Sequence, residues 1–349
     1  MRECIYIMNY VRSLLTMDNL MKLFVYLVVI VSVYGCNFKD AKTPASENPI
    51  PPVAWHTVDT IDVAAFNQDI VVGKPTLDVG VYFPSNFDSA FKKVTLARMM
   101  ESIRAAKEIY KPTGVQLHLL WVKTGELDPK YFSIQANEVP GIPETEYTNM
   151  YVHMRRHPAL LTEHAREAFT SIVEPDKHNS RTVYLIALQD VFYPFLEVSE
   201  GRNWTMKTVR TGGLSFPTYS YVNSLPENLR GIITITNLSR PDRYRLTVAH
   251  EIGHKVMNVS HEYKNTNPGH EVYAPGGLML YGDGEDIPSG ADGRWHLERL
   301  HLSPFLYQLQ PDGTKVWNQD YQEGGHYYDP LYGDKVIRFG GKAEIDENW

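Results

Sequence analysis

His250, Glu251 and His254 stand in the order H-E-x-x-H. On an α-helix, residues four apart share a face, so two imidazoles at this spacing can reach one metal ion while the glutamate borders the same point. Histidine nitrogen suits zinc, and a site with three protein ligands leaves a fourth position open for water. Zinc lowers the pKa of that water, and Glu251 is placed to take its proton and later pass it to a leaving amine. The chemistry on offer is metal-assisted hydrolysis with one zinc per chain. Three of the thirteen histidines fall between His250 and His261. The only cysteines are Cys4 and Cys36, which excludes a cysteine zinc site, and any metal must sit on histidine and carboxylate.

Residues 247–262, TVAHEIGHKVMNVSHE, resemble the metzincin clan of zinc peptidases, particularly its reprolysin and matrixin branches. The clan's pattern is H-E-x-x-H-x-x-G-x-x-H, in which a left-handed glycine ends the helix and swings a third histidine onto the metal. This sequence departs from it. Met257 stands in the glycine's place, and His261 comes one residue later than the third histidine should. Asn258 is the next best residue for a left-handed helix cap, and Asn258 to His261 keeps the turn-to-histidine spacing. The helix is then expected to run one residue longer, with His261 as third ligand. The extra residue rotates the exit by roughly 100°, which leaves Glu262 and His270 as alternatives. The segment from Gly276 to Tyr281 (GGLMLY) looks like a metzincin Met-turn. The resemblance implies that Met279 lies beneath the metal site and that Tyr281 stabilises the oxyanion of a tetrahedral intermediate.

The elements that must position these residues can be read from periodicity. Residues 76–83 (TLDVGVYF), 115–122, 182–188 and 231–237 read as strands, the last two as β-branched apolar runs. Residues 92–110, 144–154, 159–172 and 243–256 have helical spacing, and 295–305 reads as a short packing helix whose His296 and His301 are structural. Strands interleaved with helices, followed by a long helix and a Gly-, Asp- and Tyr-rich final stretch, predict an α+β, zincin-like fold. Its expected form is a mixed twisted sheet with packing helices, an active-site helix and an irregular C-terminal lobe. The catalytic domain is expected over 53–349, its upper lobe reaching about residue 258 and its lower lobe covering 259–349. Asp283, Glu285, Asp286 and Asp292 could attract calcium but lack EF-hand spacing, and a solvated acidic loop is expected there.

Residues 1–20 carry charges that suit neither a signal peptide nor a membrane span, and an over-extended start is expected there. Met21-Lys22, the apolar run 23–33 and Gly35-Cys36 resemble a bacterial lipoprotein signal over 21–35, with Cys36 as the lipidated residue. Residues 36–52, rich in proline, then form a tether. The localisation implied is lipid-anchored at a bacterial cell envelope. The formal net charge of -7, with no basic run, gives no face for phosphate backbones, and nucleic acid is excluded as a partner.

Three functions fit this reading. The first is a zinc peptidase acting on peptides or proteins, with substrate extended along an edge strand. The second is a zinc amidase acting on cell-wall or other non-protein substrate. The third is a surface lipoprotein that binds glycans or protein on a zincin scaffold without turnover.

Overall fold

The structure is a computed structural model that describes residues 51–136, 161–175, 181–198, 204–215, 229–259, 277–280, 284–290, 293–318, 337–340 and 342–345. All of these lie in one unit, Pro51–Trp349. In chain order the strands are β1 (His56–Thr57), β2 (Pro75–Pro84), β3 (Gln116–Gly125), β4 (Ser133–Gln135), β5 (Val183–Ala187), β6 (Asp190–Val198), β7 (Trp204–Thr211), β8 (Gly213–Ser215), β9 (Ile232–Ile235), β10 (Leu306–Leu309), β11 (Lys315–Trp317), β12 (Ile337–Gly340) and β13 (Lys342–Ile345). The α-helices are α1 (Val63–Phe66), α2 (Leu96–Tyr110), α3 (Glu163–Ile172), α4 (Tyr244–Met257) and α5 (Arg294–His301). Among the described residues no helix is long and apolar enough to cross a membrane.

The main sheet runs in the order β1-β3-β2-β5-β9-β8. Strands β3, β2, β5 and β9 are mutually parallel, while β1 and β8 pair antiparallel at the two ends. β2 pairs with β5 over Val79–Tyr82 and with the antiparallel β10 at residues 75–77, and β11 extends from β10. The result is a mixed sheet with packing helices, an α+β fold.

β2 is buried along nearly its whole length, as a parallel strand covered on both faces must be. Its side chains alternate. Leu77, Val79 and Val81 pack with Met99, Ile103 and Ala106 of α2 and with Val248, Ile252 and Val256 of α4. Tyr82 packs on the opposite face with Tyr184, Ile186 and Phe169 of α3. Helix α4 is thus fixed to the sheet by a stripe at positions 248, 252 and 256, each side chain contributing about 1.5–3 kcal/mol on burial.

Elements expected from periodicity appear with shifted ends. The helix expected over 92–110 begins at Leu96, where Thr95 Oγ1 accepts from Arg98 N–H at 3.3 Å and caps it. The helix expected over 159–172 begins at Glu163 for the same reason, with Thr162 as its cap. The helix expected over 144–154 lies outside the described residues. A hairpin of β6 and β7, joined by β4 into a three-stranded sheet, appears where no strand was expected.

Candidate metal centre

Hydrogen bonds from elsewhere hold α4. Tyr110 Oη donates to Ala249 O at 3.0 Å, one residue before His250. Ser102 Oγ donates to Tyr244 O at 2.6 Å, and Arg299 Nε of α5 donates to Met257 O at 2.9 Å, satisfying one of the orphan carbonyls at the helix end. The helix stops at Asn258, with φ 51° and ψ 54°, the one positive-φ non-glycine among the described residues. The left-handed turn folds the chain back, so that Val259 O accepts from His254 Nδ1 at 2.7 Å.

His250 is fixed by a separate element. Gly277 O accepts from Leu280 N–H at 2.8 Å, forming a tight turn around Leu278 and Met279. Leu278 O accepts from His250 Nδ1 at 2.7 Å. Met279 is fully buried, and its sulfur lies so close beneath Gly253 that a methyl group at that position would collide with it.

These two bonds settle the tautomers. A carbonyl only accepts, so each Nδ1 carries a proton, and in the neutral rings each Nε2 presents a lone pair. The two Nε2 atoms are 3.1 Å apart, their rings nearly perpendicular. Two such acceptors cannot satisfy one another. Two nitrogens at about 2.0–2.1 Å from one zinc can have that separation at an angle of roughly 100°. The donor set therefore fits a single divalent ion, with Leu278 O and Val259 O behind the rings as carbonyls of the kind that orient histidine ligands. Burial holds His250 below the usual imidazole range, opposed by its bond to Leu278 O.

Glu251 is buried between α4 and the edge strand β8. Burial pushes its carboxyl up to about 8, against the pull of the Ser215 N–H, which donates to it, and of the Lys255 charge. Lys255, one turn further along, is fully buried and its Nζ donates to Arg230 O at 2.9 Å. Burial drives this lysine well below its usual range, and Glu251 opposes that shift. β8 itself is held by Thr236 and Asn237 just beyond β9, whose N–H groups donate to Gly212 O at 2.9 and 3.0 Å. Its outer edge carries no partner strand among the described residues.

Of the residues singled out in sequence, the structure brings together His250, His254 and the turn that carries Met279, with Glu251 on the same helix packed against β8. His261, Glu262, His270, Tyr281 and Cys36 lie outside the described residues, and among those described no group of three or more His, Cys, Asp or Glu is placed to hold a metal. Glu285 and Asp286 are exposed, whereas Asp283 and Asp292 lie outside the described residues. His296 is fully buried against Gly277, and His301 is exposed. Sequence reasoning missed Lys255, Gly213 and Ser215. A lysine four residues after Glu251 on the apolar side of an amphipathic helix was the available signal for the first. The Gly212-Gly213 pair, a mark of close backbone approach, was the signal for the second.

No protein-family model matches the sequence, and no curated protein matches it. Among solved structures the chain is similar to metalloproteinase-II from Bacteroides fragilis, with a TM-score of 0.30 and 11% sequence identity. That match covers 69% of this chain and 61% of the other, less than two thirds of the latter's length.

Proposed function

We propose that the chain is a zinc-dependent peptidase. The observation that carries this reading is the pair of Nε2 atoms 3.1 Å apart, each with its Nδ1 proton committed to a backbone carbonyl, beside a buried glutamate. His250 and His254 would hold the ion, with His261 as third ligand and Glu262 and His270 as alternatives. Bound zinc supplies a Lewis acid and lowers the pKa of water. Glu251 accepts the water's proton and returns it to the leaving amine. The edge of β8 beside Glu251, which carries no partner strand among the described residues, offers main-chain groups to an extended peptide. Tyr281 is the proposed oxyanion donor and Met279 the floor.

The same reading places the chain at a bacterial cell envelope through a lipid on Cys36. Mass spectrometry of the mature protein tests this: a lipid-shifted N-terminal Cys36 is expected, and an unmodified, uncleaved Cys36 refutes the anchor. The catalytic reading is tested by incubating wild type and Glu251→Ala with labelled casein, a mixed-peptide library and cell-wall fragments. Cleavage of peptides by wild type and its loss in the variant are expected. Turnover of cell-wall fragments alone would make the enzyme an amidase. No turnover of any substrate by zinc-loaded protein would refute catalysis.

A further inference from the structure

We propose that the edge strand β8 is a positioning element for Glu251, in which Gly213 supplies the space and Ser215 supplies the hold. The inference rests on the reading of Glu251 as the proton-transferring base.

In a strand, alternate residues share a face. Leu214 packs into the core on one side of the sheet, which turns Gly213 and Ser215 toward α4. Gly213 does not have positive φ, so its backbone conformation is one that any residue can adopt. What forbids a side chain there is Glu251. A β-carbon on Gly213 would lie 2.7 Å from Glu251 Cγ, 2.7 Å from Oε1 and 2.9 Å from Cδ. The backbone at Gly213 is pinned on both sides, by Thr236 and Asn237 on Gly212 O and by the antiparallel register Gly213↔Ile235. The glutamate would have to move.

Ser215 contributes twice. Its N–H donates to the Glu251 carboxylate. Its hydroxyl is buried, the residue being 6% exposed, and has no hydrogen-bond partner among the described residues. A buried hydroxyl calls for a hydrogen-bond partner, and this one belongs to the strand face turned toward α4. The hydroxyl, on the residue whose N–H meets the carboxylate, is a donor and acceptor suited to hold the water on which Glu251 acts. Because the carboxylate touches the outer strand β8, a peptide pairing with β8 would meet a base already set relative to its own main chain.

The test uses the full-length protein as Gly213→Ala, Ser215→Ala, Ser215→Thr and Glu251→Gln, read by casein cleavage, zinc content, thermal melting of the metal-free form and a crystal structure of Gly213→Ala. Gly213→Ala is expected to keep its zinc, to show Glu251 displaced from Ser215 N, and to lose about 10–100-fold in kcat with KM little changed. Ser215→Ala keeps the main-chain donor; it is expected to lower kcat several-fold without lowering the melting temperature, and Ser215→Thr to restore it. A merely structural serine would lower the melting temperature and leave kcat alone. If Gly213→Ala does not fold, the serine pair decides. Full kcat in Gly213→Ala and Ser215→Ala, with Glu251→Gln inactive, overturns this inference and leaves the peptidase reading standing. Full activity in Glu251→Gln, or an inactive wild type, overturns both.

Discussion

His250 Nδ1 donates to the carbonyl of Leu278 at 2.7 Å, so the residue immediately before Met279 sets the orientation of the first histidine. The turn that carries Met279 therefore does more than fill space beneath the helix. It fixes the tautomer of a ring on α4, while Met279 occupies the space beneath Gly253 of the same helix.

That packing makes Gly253 intolerant of a side chain. A β-carbon there would collide with Met279 Sδ and stand 3.1 Å from Met257 Cε and 3.2 Å from Tyr110 Oη. Gly253→Ala gains helix propensity on its own, yet overpacking is expected to dominate and lower stability by about 1–3 kcal/mol. Met279→Leu, which roughly conserves volume, is expected to cost less than about 1.5 kcal/mol. Urea denaturation of the two variants measures the difference.

Asn258 holds the left-handed exit of α4. Asn258→Gly is expected to be neutral or mildly stabilising, since glycine adopts that conformation freely. Asn258→Val is expected to cost about 1–2 kcal/mol from backbone strain alone and to release Val259 O from His254. Equilibrium denaturation gives the cost, and zinc titration of the folded variant gives the effect on the site.

On the other side of the sheet, Asp78 gathers β3, β10 and β11. It accepts from Tyr307 Oη at 2.7 Å, from His118 Nδ1 at 2.8 Å and from Lys315 Nζ. Burial pushes its carboxyl up, but the His118 bond, the Lys315 charge and bond and the Tyr307 hydroxyl outweigh burial and hold it below its ordinary 3.8. Folding thus favours the ionised form. Its stabilisation is present above 3.8 and is lost as pH falls through the lower folded-state value. Asp78→Asn is expected to cost about 1–3 kcal/mol at neutral pH, a gap that closes at the acid end. Stability curves of both proteins from pH 7 to pH 2 check the sign; a gap that widens in acid would contradict it.

How much of this was legible from residues alone varies by element. Period-two alternation located β2, and β-branched apolar runs located β5 and β9, because these strands lie inside the sheet, where burial writes itself into the sequence. The β6–β7 hairpin was missed because Pro194 interrupts the first strand and Lys207 and Arg210 lie in the second, whose pairing is settled by tertiary contact. The His250 and His254 spacing was legible because a single helix fixes both residues. The hold on Glu251 was not: Gly213 and Ser215 reach it only through the pairing of β8 with β9, which no local pattern encodes. The left-handed cap at Asn258 followed from residue type, and the structure places it there.

Two facing Nε2 atoms that act as metal ligands predict metal in the purified protein. Elemental analysis of protein prepared without chelator is expected to find one zinc per chain, and loss of that zinc in His250→Ala and His254→Ala variants whose circular dichroism remains that of wild type. Protein that carries no zinc and takes up none when zinc is added back, with the fold intact, would contradict it.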